Sequence, residues 1–116
     1  RALFGMRHEQ VADHLQLDPA QREHWHRMEA DFVKALRESA QQIRVHRERM
    51  VREILSARPD AATIERERTA IFALQEAQQR VVIAQLLKER ELLRAEQRAT
   101  LAELLLAQDA AAPADR

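Results

Sequence analysis

The chain has 116 residues, with 19 Lys or Arg against 19 Asp or Glu, no Cys, one Gly and three Pro. The missing cysteine excludes a disulfide framework and a thiolate metal site. Balanced, interspersed charge argues against the net basic face that nucleic-acid binding needs, and no stretch is apolar enough to cross a bilayer. A third of the residues are charged, and Ala, Glu, Leu, Arg and Gln dominate, which is the composition of long helices in a single domain.

Arg1 to Leu15 reads as a short first helix, with Leu3, Met6, Val11 and Leu15 as a ragged apolar stripe that Gly5 weakens at its start. Gln16-Leu17 is the connector. Asp18 is then a good N-cap, Pro19 suits the first helical position, and Gln21 sits at the capping-box position. The second helix runs from Pro19 to about Ala57 with no internal Gly or Pro. Its large apolar residues, Trp25, Phe32, Leu36, Ile43, Met50 and Ile54, recur at helical spacing. At the helical rise it reaches roughly 55–60 Å, so it needs a partner lying along it.

Pro59 forces Arg58 out of the helical region, and Asp60 can cap a third helix from Ala61 to about Leu93. The connection is short, so the two long helices are expected to be antiparallel neighbours with a coiled-coil-like seam. A last apolar face follows at Leu101, Leu104 and Leu105, with no Pro or Gly to separate it from helix three. Residues 1–108 are expected to form one helical domain, and residues 109–116 a frayed tail. The predicted fold is all-α: a long antiparallel helical hairpin with short N- and C-terminal helices, a hooked four-helix hairpin.

"LQLDPAQREHW" and "ELLRAEQRATL" carry a repeated L-[TD]-x-x-Q-R motif. In the first copy Leu17, Asp18, Pro19, Gln21 and Arg22 fit; in the second Leu93, Gln97 and Arg98 fit, while Ala95 stands where Pro is common. This pair resembles the Spy/CpxP/CnrX group of bacterial periplasmic stress and heavy-metal-resistance proteins, from about His8 to Leu105. The resemblance implies a hooked, usually dimeric helical hairpin in the periplasm. It also implies one of two roles. One is binding a transition metal and reporting it to a membrane-bound signalling protein. The other is ATP-independent chaperoning of unfolded client proteins on a basic and apolar cradle. A metal-free helical interaction module is a third reading.

The metal-sensing branch of the resemblance uses a histidine pair four apart on helix one, a glutamate on helix two and a His-x-x-x-Met pair on helix three. Aligned on "LQLDPAQR", this places His8 at the first histidine and Glu29 at the glutamate. Ala12 stands at the second histidine, and Gln85 and Glu89 at the His and Met positions. His8, Glu29 and Glu89 would then make a hard N/O site for Zn, Ni, Co or Cu, less selective than one with a thioether. His24 with Met28, and His46 with Met50, are further pairs one turn apart. His46, however, shares the heptad series of Trp25, Phe32 and Ser39, so a seam histidine bonded to Gln or Glu of helix three is the plainer reading. His26 is expected to face solvent.

No enzyme is expected: the sequence has no strained-turn nucleophile, phosphate loop or His-Glu-x-x-His helix. A homodimer is expected, because Leu86, Leu87, Leu92, Leu93, Leu101, Leu104, Leu105 and Leu106 spread over more than one helical face. The first helix can cover part of that surface. A periplasmic protein is expected, either soluble or anchored by a segment before Arg1.

Overall fold

A computed structural model describes residues 8–111, with side chains described from 10 to 107. Among the described residues it has no strand and four helices: α1 (His8–Leu15), α2 (Pro19–Ile54), α3 (Ala61–Leu92) and α4 (Ala95–Ala111). The fold is the expected all-α hairpin of two long helices with a short helix at each end. Residues 1–7 of the expected first helix, and residues 112–116 of the expected tail, lie outside the described residues. Residues 109–111 belong to α4.

Each helix end follows from local chemistry. α1 stops at Gln16, which takes a positive φ of 56°. The Gln16 N–H donates to Asp13 O at 3.1 Å and the Leu17 N–H to Ala12 O at 3.4 Å, the pairing of a Schellman stop. A side chain in this left-handed region costs about 1 kcal/mol relative to Gly, and burial of Leu17 beside Ala12 helps offset it.

α2 then starts on a full capping box. Asp18 Oδ1 accepts from the Gln21 N–H at 2.8 Å, and Gln21 Oε1 accepts from the Asp18 N–H at 2.9 Å. α2 ends at Ile54, slightly before the expected Ala57. Both the N–H and the hydroxyl of Ser56 bond to Glu53 O, which tightens the last turn before Pro59. Across the connection, Glu53 Oε2 accepts from the Asp60 N–H at 2.8 Å. Asp60 caps α3 by accepting from both the N–H and the hydroxyl of Thr63. Those two bonds, the hydroxyl's foremost, hold the Asp60 carboxyl below its ordinary pKa.

α3 and α4 are separate helices. The break falls at Leu93 and Arg94, where Gln97 Oε1 accepts from the Arg94 N–H at 2.9 Å and the Arg98 guanidinium donates to Leu93 O at 3.0 Å. This is the second motif making the same start as the first, with an arginine in place of the capping aspartate.

The chain forms two compact units, Arg1–Glu29 with Leu86–Arg116, and Ala30–Gln85. In the first, Ala12, Leu15, Leu17, Trp25, Leu93 and Leu101 are buried together, with Val11, Met28, Leu92, Leu104 and Leu105 packed against them. α1 thus covers part of the C-terminal leucine surface, as expected. In the second, Phe32, Ile43 and Ile71 are the buried apolar residues of the hairpin seam.

The first unit is closed by its two motif glutamines. Gln21 Nε2 donates to Gln97 Oε1 at 2.9 Å, and Gln97 Nε2 donates back to Gln21 Oε1 at 3.2 Å. Gln21 Nε2 also reaches Leu92 O at 2.8 Å, while Gln97 Nε2 reaches Leu15 O at 3.2 Å and Gln16 O at 3.4 Å. Each amide therefore caps its own helix and binds the chain entering the other. Gln97→Ala would strand several buried polar groups at once, and we expect it to destabilise the protein by about 2–3 kcal/mol in urea unfolding. Gln21→Ala with Gln97→Ala should cost less than the sum of the two single changes. Strict additivity would show that the two amides act independently.

Candidate functional site

Among the described residues five polar side chains are buried: Gln21, Glu29, Gln85, Glu89 and Gln97. The amide pair accounts for Gln21 and Gln97. Glu29 and Glu89 are different in kind, because a carboxylate taken out of water is costly unless protein groups, a proton or a metal compensate it. Glu29 is 3% exposed and Glu89 is 1% exposed, and both belong to the first unit. Helix periodicity explains the position of Glu29. It follows Gln21 and Trp25 at successive intervals of four, so α2 turns all three to one side. Glu89 lies one turn before Leu93 on the buried stripe of α3.

The other sequence-derived candidates fall in different places. His8 is the first residue of α1, and its side chain lies outside the described residues. Ala12, at the position implied for a second histidine, is a fully buried methyl group. His24 is exposed, with Nδ1 3.3 Å from Ala20 O, whereas Met28 packs against the apolar cluster, so the two do not share an environment. His14 and His26 are exposed.

His46 and Met50 belong to the second unit and are half-buried. His46 Nδ1 lies 2.6 Å from Glu67 Oε1 across the hairpin, the seam role expected of it. Among the described residues no three His, Cys, Asp or Glu side chains are grouped to hold a metal ion. The first unit therefore holds two buried carboxylates, while its described histidine side chains, His14, His24 and His26, are exposed.

One buried polar atom escaped the sequence reading. Trp25 is 2% exposed, and its indole N–H has no hydrogen-bond partner among the described residues. Such an atom costs about 1–3 kcal/mol. The pairing of Gln21 with Gln97 was missed as well; its only sequence signal was that both stand at the same place in the repeated motif.

Four helices with a paired L-x-x-x-Q-R clasp and two buried carboxylates define the chain as a helical-hairpin protein. The profile of the heavy-metal resistance family matches residues 2–100, and the chain belongs to that family. No curated protein and no solved structure matches it significantly. No helix among the described residues is long and apolar enough to cross a membrane.

The seam pair His46–Glu67 is half-buried and its members lie on different helices. A double-mutant cycle with His46→Ala and Glu67→Ala should give a coupling of about 0.5–1.5 kcal/mol. A coupling indistinguishable from zero would leave both residues as independent surface positions.

Proposed function

We propose that this heavy-metal-resistance protein is a non-catalytic periplasmic accessory that binds a divalent transition metal and signals to, or protects, the cell envelope. Glu29 and Glu89 would be its oxygen ligands and His8 its nitrogen ligand. The observation that carries this reading is the burial of two carboxylates, Glu29 and Glu89, within one unit of a heavy-metal-resistance protein. Two carboxylates and a neutral imidazole balance a dication and suit Zn, Ni or Co, and Cu with less discrimination. A ligand set without thiolate or thioether has no preference for soft ions.

Calorimetric titration of the purified chain with Zn, Ni, Co and Cu tests the reading. Saturable binding tighter than about 10 μM, near −7 kcal/mol, is expected for at least one ion. His8→Ala, Glu29→Gln and Glu89→Gln should each weaken it at least about tenfold, while His26→Ala and His46→Ala leave it unchanged. Absence of such binding for all four ions overturns the proposal.

We also propose that the protein acts as a homodimer. Leu87 and Leu106 are 57% and 68% exposed in the single chain. Covering them between two copies would recover part of the roughly 1.5–3 kcal/mol that each buried leucine contributes. Sedimentation equilibrium should give twice the chain mass at micromolar concentration, and Leu106→Asp should return it to the monomer without loss of helicity. Leu101 is a poorer probe, because it is already 9% exposed within the chain's own core. A stable monomer throughout that range removes the dimer.

A further inference from the structure

The second unit carries a surface that the metal reading does not use. Residues Arg44, Arg47, Glu48, Val51 and Arg52 line a shallow groove of about 360 Å³, and all of them come from α2. Their spacing puts them along one exposed side of the helix, with Arg47 and Val51 beside the seam residue Ile43 and Arg44, Glu48 and Arg52 further round. Leu55, just past the end of α2, continues the same stripe toward the turn and is 77% exposed; Val51 and Ile54 are 46% and 44% exposed. Large apolar side chains thus stand in water at the tip of the hairpin with arginines around them.

These arginines differ from the six that are held in ion pairs among the described residues. Arg22, Arg27, Arg68, Arg80, Arg90 and Arg94 each hold a carboxylate. Arg44 bonds only to the Gln41 amide, and Arg47 and Arg52 have no ion-pair partner among the described residues. Glu48 is the acid within the groove, so the face has a surplus of positive charge. The outward carboxylates of α3, Glu65, Glu76 and Glu91, are already held by Arg68, Arg80 and Arg90. A second copy would offer this face no free acidic stripe from α3.

We propose that this face of α2, with Arg44, Arg47, Val51, Arg52 and Leu55, docks the hairpin tip onto an anionic lipid bilayer. The chemistry is that of an interfacial helix. Apolar side chains enter the boundary between headgroups and acyl chains, and flexible arginine stems lie along it with their guanidiniums on lipid phosphates. Uncompensated arginines provide the charge complement of an anionic leaflet. The apolar content is small, so attachment is reversible and depends on the charge.

Co-sedimentation of the 116-residue chain with vesicles tests this. Vesicles of equal parts phosphatidylglycerol and phosphatidylcholine should bind it at least about tenfold more strongly than phosphatidylcholine alone, and binding should fall as salt is raised. Each of Arg44→Gln, Arg47→Gln and Arg52→Gln should lower partitioning about fivefold. Leu55→Asp should lower it too, and Arg27→Gln should not. These residues are exposed, so circular dichroism should show unchanged helicity. As a second measurement, the fluorescence of a Leu55→Trp variant should be quenched by brominated phosphatidylglycerol. Equal binding to both vesicle types, or anionic binding that the three arginine changes leave intact, overturns the proposal. So does binding to polyglutamate or to an unfolded acidic protein without binding to vesicles, which would assign the face to a polypeptide partner. None of these outcomes depends on the metal titration.

Discussion

The reciprocal bond between Gln21 and Gln97 is the constraint on which the first unit depends. A side-chain amide has an acceptor oxygen and two donor hydrogens, and here both amides use both ends. Each oxygen holds the N–H that opens its own helix, Asp18 for Gln21 and Arg94 for Gln97. Each nitrogen holds the other amide and a carbonyl just before the other motif, Leu92 for Gln21 and Gln16 for Gln97. The arrangement has an approximate two-fold character that mirrors the repeated sequence. Neither glutamate nor leucine can replace either residue: the first lacks the donor and the second lacks both functions. Buried amides satisfied in this way fix the register of α2 against α4 more sharply than apolar packing does.

The rest of the unit is arranged around that clasp. The left-handed Gln16 carries the carbonyl that Gln97 reaches, so the strained end of α1 and the start of α4 depend on one another. The Arg22–Asp13 pair at 3.0 Å and the Arg94–Asp18 pair at 3.8 Å lie outside it, half-exposed or more, and contribute little by comparison. Behind it, Leu15, Leu17, Trp25, Leu93 and Leu101 form the apolar layer. Two of these, Leu17 and Leu93, are the opening residues of the motif. The motif thus supplies both the polar clasp and its hydrophobic backing.

Much of this was legible in the sequence, because local rules govern it. Asp18, Pro19 and Gln21 announce a helix start, and the period of Trp25, Phe32 and Ile43 announces the seam. Asp60 as a cap and His46 as a seam residue are likewise local or periodic readings, and both hold in the structure. The break between α3 and α4 was left open, since neither Pro nor Gly marks it. Arginine is a poor cap, and the helix stops because Gln97 and Arg98 bind the backbone at Arg94 and Leu93. The left-handed turn at Gln16 gave no signal either, because glutamine is not a residue that favours it. The glutamine pair joins residues 76 apart, a separation at which periodicity is silent. At the candidate site, the burial of Glu29 was not legible, because nothing among its sequence neighbours marks a carboxylate as buried; the residue was reached through the motif resemblance. Glu89 was reached in the same way.

The positions of those carboxylates relative to the clasp matter for what a metal would do here. Glu29 follows Gln21 by two turns on α2, and Glu89 precedes Gln97 by two turns along the chain, on α3. On the proposed reading an ion would join α2 and α3 behind the amide pair, and its binding energy would add to the stability of the unit by mass action. The clasp is neutral, so it can hold the helices with the site empty. Glu29 and Glu89 are both buried, and an ion placed between them would add to the protein groups that already compensate buried carboxylates. On that reading, a neutral clasp beside a metal site would give an element whose fold did not require the ion and whose rigidity responded to it. That combination suits a protein whose task is to register a metal rather than to be built by one.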